Sequence, residues 1–120
     1  MPMETFRNQT RNVVVSEKTR VADTMGTRMV GLLSSSGLAE EEGLWIEPCN
    51  SIHTWFMRFT IDALFLDREG TVLRAVERMK PWRLTWIVRR AAGVLELPEG
   101  RISRTGTKVG DRLVRERAAS

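Results

Sequence analysis

A short stretch, residues 49–67, holds the residue types that could perform chemistry. It contains the only Cys and the only His of the chain, Cys49 and His53, and Met57 follows at the same four-residue step. Thiolate, imidazole and thioether together would suit a soft ion such as Cu(I). Along a strand, however, residues four apart lie ~13 Å from one another, too far to share one ion. We therefore expect no metal and no cofactor. Cys49 and Met57 are expected to pack as apolar core side chains, and His53 is expected at the mouth of a barrel.

Nucleophilic catalysis is the second chemistry that this stretch could support. Cys49 or Ser51 could form a dyad with His53, and Asp62 or Glu96 could orient the imidazole. A strand would place the Ser51 and His53 side chains ~6–7 Å apart, beyond the reach that a general base needs. The chain also lacks the glycine-flanked serine of a nucleophile elbow. No catalytic residue is therefore assigned, and a hydrolytic enzyme that uses His53 with a carboxylate stays as an alternative.

Asp62 and Glu96 are charged residues inside otherwise apolar segments, "TIDALF" and "VLELP". An unpaired charge in a core is too costly, so each carboxylate either faces water or has a buried partner. One interpretation is a structural ion pair with an arginine. The functional interpretation places Asp62, Glu96 and His53 together at one end of a barrel, where they bind a small polar ligand. With Trp55 beside them and Arg83 nearby, these residues form the predicted ligand-binding site.

The segment "PWRLTWIVRR" combines Trp82 and Trp86 with Arg83, Arg89 and Arg90. Aromatic residues between arginines can stack on nucleic-acid bases or anchor a basic segment at an anionic membrane. The simpler interpretation, which we take as the expectation, is a loop pinned to the core by both tryptophans, with the arginines in water. A basic Trp/Arg surface for a polyanion or a membrane stays as a further alternative, although neither nucleic acid nor membrane is the expected partner.

Composition is typical of a single globular domain. The chain has 120 residues, of which 42% are hydrophobic and 28% charged, and a formal net charge of +4. One Cys excludes an internal disulfide. No apolar window approaches the ~20 residues that span a bilayer, and the first residues lack the apolar core of a signal peptide. We therefore expect a soluble, cytoplasmic protein.

Short β-type segments dominate the chain. They alternate apolar and polar residues or are rich in Val and Ile, and turn residues separate them at intervals of about 8–12 residues. This spacing indicates a small, mainly β fold, a barrel or a sandwich of about seven strands, rather than alternating helices and strands. The predicted strands cover residues 12–24 (a hairpin or bent pair), 43–48, 52–57, 60–67, 71–79, 93–100 and 109–116.

The remaining segments complete the predicted organisation. A short helix is expected near residues 25–33, where Met and Leu recur at helical spacing behind Thr24. Residues 81–90 fit either a helix or a strand. Residues 1–11 are polar and are expected to form a loosely held tail, which leaves residues 12–116 as one β-barrel-like domain.

Several motifs occur in a recognisable order: "RMVGLLSSSGL", "GLWI", "HTWFMRFTIDALFLDREGTVLRAV", "LELPEG" and "VGDRL". Over residues 21–114 they resemble the domain-of-unknown-function 192 family, also called UPF0127. The resemblance implies a small, mostly antiparallel β-barrel-like domain with one short helix, and it implies no activity. Many relatives have a longer connection where "MRFTID" joins Met57 to Asp62 here, so a polar pocket built by that longer loop is not carried over.

The leading functional hypothesis is a non-enzymatic binding or accessory module. A polar and aromatic cleft at one end of the barrel would take a small polar ligand, such as a sugar, or an extended segment of a protein partner. The hydrolytic enzyme and the basic Trp/Arg surface are the two alternatives. The sequence leaves the oligomeric state open.

Overall fold

The computed structural model describes residues 3–22 and 37–117, which form one curled sheet of seven strands. The elements are β1 (Met3–Asn8), β2 (Val13–Ala22), β3 (Glu42–Ile46), β4 (Ile61–Leu66), β5 (Val72–Met79), β6 (Gly93–Pro98), α1 (Arg101–Thr105) and β7 (Leu113–Arg117). In space the strands follow the order β5-β4-β6-β3-β2-β1-β7. Neighbours are antiparallel, except that β2 and β3 run parallel. The predicted mainly β architecture of seven short strands is confirmed.

The two edge strands, β5 and β7, meet at one end of the sheet and give it the shape of a half-barrel. Val72 N–H donates to the carbonyl oxygen of Asp111 at 2.8 Å, and Leu113 N–H donates to that of Gly70 at 2.8 Å. Gly70 has a φ of +87°, and a Cβ atom there would overlap the Leu113 carbonyl. Only glycine therefore permits this close approach of the two edges.

All six residues of the inner strand β4 are buried, so both of its faces are covered, since successive strand residues point to opposite sides of a sheet. Leu64 packs into the barrel cluster, to which all seven strands and α1 contribute. Ala63 and Phe65 point to the other face, where Ile52 and Met57 complete what we call the loop-covered cluster. The loops that surround Ile52 and Met57 are therefore folded against the outside of the sheet.

The N-terminal segment departs from the expectation of a loosely held tail. Residues 3–8 form β1, which pairs with both β2 and β7. Phe6 is fully buried in the barrel cluster, and Asn8 is buried with its Nδ2 donating to Asp111 Oδ2 at 2.9 Å. A polar segment with one buried ring gives a weak strand signal by itself, and pairing on both edges supplies the missing stabilisation.

Two further elements differ from the sequence prediction. The expected hairpin or bent pair in residues 12–24 is one ten-residue strand, β2, up to Ala22. The helix expected near residues 25–33 lies outside the described residues, whereas α1 is a five-residue helix that the sequence did not predict. The described residues contain no helix that is long and apolar enough to cross a membrane.

Candidate docking surface

Two loops outside the sheet, residues 49–60 and 80–92, lie side by side and form the candidate site. The first was predicted as a strand over residues 52–57, and this prediction is wrong. It contains only an isolated bridge, in which His53 pairs with Leu84 of the second loop. Phe56 has a φ of +68°, which interrupts the extended backbone that a strand needs.

Thr54 is fully buried and fixes the start of the second loop with its backbone and its hydroxyl. Its N–H donates to the carbonyl oxygen of Arg83 at 2.9 Å, and its carbonyl accepts the N–H of Trp82 at 2.9 Å. Its hydroxyl donates to the carbonyl of Lys80 at 2.6 Å and accepts the N–H of Arg83 at 2.9 Å. The small Thr54 side chain thus supplies hydrogen-bond partners to backbone groups of a turn that would otherwise be buried without partners.

Thr85 provides a second attachment point, which is also buried. Its N–H donates to the carbonyl of Ile52 at 2.9 Å, and its hydroxyl accepts the N–H of Ile52 at 3.0 Å. Farther along, Val88 N–H donates to the carbonyl of Asn50 at 2.8 Å. The two loops are therefore held together by a short irregular ladder, whose buried side is formed by Ile52, Thr54 and Thr85.

The outer side of this ladder is apolar. Six of the eight large hydrophobic side chains that are exposed in the described residues lie on these two loops. Five of the six are more than half exposed, from Trp82 at 57% to Trp86 at 83%, and Trp55 is 46% exposed. We call this group the aromatic surface; its members are Trp55, Phe56, Trp82, Leu84, Trp86 and Ile87.

Exposed side chains of the two loops contact each other. The rings of Phe56 and Trp82 lie 4.8 Å apart between centroids, and the His53 ring lies 4.9 Å from Trp55. Leu84 lies opposite His53 in the bridge, and directly paired strand residues point to the same side. The Phe56–Trp82 contact and the His53–Leu84 bridge therefore join the exposed side chains of the two loops.

The expectation that Trp82 and Trp86 pin the second loop to the core is wrong. Both indoles are exposed, and the hydrogen bonds of Thr54 and Thr85 attach the loop instead. Val88 is partly buried against the loop-covered cluster and adds the apolar contact that was assigned to the tryptophans. The aromatic side chains are consequently free to face outward.

The backbone of the loops adopts unusual conformations beside the exposed rings. Phe56, Trp82 and Arg90 have φ values of +68°, +64° and +70°. For residues with a Cβ atom this left-handed region costs about 1–2 kcal/mol each. Such strain persists only where the surrounding contacts enforce it, and it is often found at functional sites.

Five exposed cations accompany the aromatic surface, and neither loop contains Asp or Glu. These five contribute +5 to the formal net charge of +4, so the rest of the chain has a formal charge of −1. None of the five forms an ion pair with a carboxylate of residues 3–22 or 37–117. We call them the loop cations: Arg58, Lys80, Arg83, Arg89 and Arg90.

Asp62 does not belong to this surface, although the sequence placed it in the binding site. It is fully buried. Its Oδ1 accepts the N–H of Arg78 at 2.9 Å, and its Oδ2 accepts the N–H of Ile102 at 2.9 Å. Ile102 lies in the first turn of α1, whose cap residue, Gly100, has no side chain to accept this hydrogen bond. Asp62 therefore acts as a structural acceptor that attaches α1 and the end of β5 to the sheet.

Glu96 lies on the opposite face of the sheet from Asp62. It pairs with Ala63 across the β4–β6 ladder, and directly paired residues point to the same side, away from the neighbouring Asp62. Glu96 is buried, as Asp62 is. The predicted convergence of Asp62, Glu96 and His53 on one ligand does not occur, and of the five predicted site residues the structure brings together His53, Trp55 and Arg83.

The soft-ligand residues of the first loop also separate. Met57 is buried in the loop-covered cluster, which confirms its predicted place in the core. Cys49 is half-buried against the same cluster, with Sγ 3.0 Å from the carbonyl oxygen of Ser51. His53 points outward on the aromatic surface.

Sequence reasoning missed Phe56, Leu84 and Ile87 as surface residues. Their apolar character made them resemble strand or core positions. The signal that could have identified them is the absence of any carboxylate around them, together with turn residues such as Pro81 that interrupt a regular strand pattern. Binding residues are disproportionately found on surface loops.

Comparison with known proteins gives consistent results. Residues 6–115 match the DUF192 family, described as an uncharacterized ACR. A UPF0127 protein of Thermococcus sibiricus is 30% identical over 111 residues, 88% of this chain and 71% of that protein. A UPF0127 protein of Pyrococcus abyssi is 32% identical over 112 residues, 88% of this chain and 92% of that protein. The crystal structure of a protein of unknown function from Novosphingobium aromaticivorans has the same fold, with a TM-score of 0.79 at 20% identity over 93% of this chain and 83% of that one.

Proposed function

This chain belongs to the DUF192 (UPF0127) family, and we propose that it is a non-enzymatic binding module whose docking surface is the aromatic surface with its loop cations. The observation that carries the proposal is the concentration of exposed apolar groups on two loops that are locked by buried threonines. A concentration of exposed apolar side chains on a globular protein marks a site of interaction.

The charge of the two loops defines the kind of partner. All five loop cations are exposed, and no carboxylate of the loops neutralises them. Four of the five are arginines, which bind carboxylates and phosphates through two parallel hydrogen bonds. An anionic partner with apolar contacts therefore fits this surface better than a neutral sugar, which would require acceptors such as Asp62 and Glu96.

The positions of His53 and Asp62 give less support to the hydrolase alternative than to a binding role. His53 would need a carboxylate to orient its ring as a general base. Both oxygens of Asp62 already accept backbone N–H groups, and the ring beside His53 is the indole of Trp55. These contacts support a binding role for His53.

Retention on immobilised heparin as a function of salt tests the proposal. One variant replaces Arg83, Arg89 and Arg90 with Ala, and a matched control replaces Arg68, Arg74 and Lys108, which are also exposed but lie outside the two loops. Both variants lose three positive charges, so a general charge effect is the same in each. We expect the loop variant to elute at clearly lower salt, because contacts with a polyanion release counterions and depend steeply on salt. Equal elution of the two variants would refute the assignment of the anionic partner to this surface.

A further inference from the structure

We propose that the partner of this surface is an anionic lipid bilayer, on which the protein is a peripheral binder with Trp86 and Ile87 inserted among the headgroups. This inference rests on the proposed function and names the chemical nature of its partner. Exposed Trp, Phe, Leu and Ile, flanked by Lys and Arg, are the combination that lies at the boundary between headgroups and acyl chains.

The aliphatic members of the aromatic surface favour lipid over nucleic acid. Leu84 is 66% exposed and Ile87 is 68% exposed. Stacking on bases rewards flat rings and guanidinium groups, and these branched aliphatic chains gain little from it. A bilayer interface, by contrast, removes Leu and Ile from water together with the indoles.

The loop cations match the charge of anionic headgroups. Lysine and arginine near an anionic leaflet each strengthen attachment, on the order of fivefold per cation. Arg83, Arg89 and Arg90 lie within eight residues of one another in sequence and flank the apolar residues Leu84, Trp86 and Ile87 on both sides. Apolar insertion and phosphate contact are therefore offered by one and the same loop.

The same charge argues against a second copy of this chain as the occupant. A two-fold contact would place the loop cations of one copy against the identical cations of the other. Neither loop contains a carboxylate that could compensate. Like charges at close range disfavour such a dimer.

The loops are also preorganised for docking. The hydrogen bonds of Thr54 and Thr85 hold the exposed rings on a fixed backbone. Binding then loses little backbone entropy, because the presenting segments are already ordered.

Co-sedimentation with vesicles tests the inference. The probes are vesicles of phosphatidylcholine alone and vesicles that also contain about a third phosphatidylglycerol, at low salt where surface charge is weakly screened. We expect partitioning onto the anionic vesicles to be tenfold or more above that onto phosphatidylcholine, on the order of the effect of two cations. The variant Trp86→Ser with Ile87→Ser is expected to lose roughly tenfold or more in partitioning.

Val109→Ser is the matched control, because Val109 is 61% exposed and lies outside the two loops; its partitioning is expected to equal that of the wild type. Tryptophan emission should shift to the blue on vesicle binding, since Trp55, Trp82 and Trp86 leave water while Trp45 is already buried.

The other outcomes overturn the inference in distinguishable ways. Retention on heparin through the loop arginines without any vesicle binding would refute the lipid partner and leave the proposed function standing. Neither retention nor vesicle binding would refute both. Concentration-dependent dimerisation that is abolished by the Trp86 and Ile87 substitutions would show that the surface is an interface between copies of this chain.

Discussion

Asp62→Asn should destabilise the protein although the two side chains have nearly the same shape. The two oxygens of Asp62 each accept a different backbone N–H, from Arg78 in a part-buried hydrogen bond and from Ile102 in a buried one. Asparagine has one carbonyl oxygen, so one of these N–H groups must face the amide NH₂ and loses its acceptor. A buried donor without an acceptor costs about 1–3 kcal/mol, a large part of the ~5–15 kcal/mol that holds a domain folded.

The control is Asp67→Asn in the turn between β4 and β5. There a single oxygen, Oδ1, accepts both N–H groups, from Glu69 and from Thr71, each at 2.9 Å. Asparagine can keep both hydrogen bonds, and Asp67 is only partly buried, so the change should stay within about 0.5 kcal/mol. Equilibrium unfolding in urea, with unchanged m values, measures the difference. If Asp62→Asn costs no more than Asp67→Asn, the assignment of Asp62 as a two-donor acceptor is wrong.

Two further predictions concern the closed end of the half-barrel. Gly70→Ala should cost about 2–5 kcal/mol, because it combines a left-handed backbone with overlap of the Leu113 carbonyl. Gly106→Ala is also left-handed but has open space around the new methyl group, so it should cost about 1–2 kcal/mol; equal urea midpoints would contradict this. Burial alone would raise the pKa of Asp111, but hydrogen bonds led by that from Arg11 outweigh it and hold this pKa below its usual value. The resulting stabilisation is present above the ordinary pKa of about 3.9 and disappears as the pH falls through the lowered value. The unfolding free energy of Asp111→Asn should therefore vary less than that of the wild type between about pH 5 and pH 2. Parallel plots of unfolding free energy against pH for the two proteins would contradict this prediction.

The regular strands were predictable because their signal is local. Residues 60–67 alternate and end at the turn that contains Gly70, and the structure places β4 and β5 there, at Ile61–Leu66 and Val72–Met79. The N-terminal strand was missed, since Phe6 is its only strongly apolar buried residue and its stability comes from β2 and β7. Helix α1 was missed for a related reason: it is short, lacks a side-chain cap of its own, and uses Asp62, forty positions away in the chain, as its acceptor.

The candidate site was only partly predictable. His53, Trp55 and Arg83 were chosen for their chemistry, and they do lie on the two adjoining loops. Asp62 and Glu96 were chosen for the same reason, but their register across the β4–β6 ladder sends them to opposite faces. A shift of one residue in a ladder reverses the face of every side chain, and no local pattern in either strand specifies that pairing.

By itself the sequence determined the mainly β architecture, the family and the absence of carboxylates from the two loops. Alternation, motif order and charge are local properties that can be read directly from the order of residues. Only the tertiary structure decided which tryptophans are buried. Trp45 packs inside the barrel cluster while Trp82 and Trp86 face water. The physical reason is that Thr54 and Thr85 each hydrogen-bond the backbone of the other loop, about thirty residues away in the chain. These hydrogen bonds attach the two loops to each other without burying their aromatic side chains.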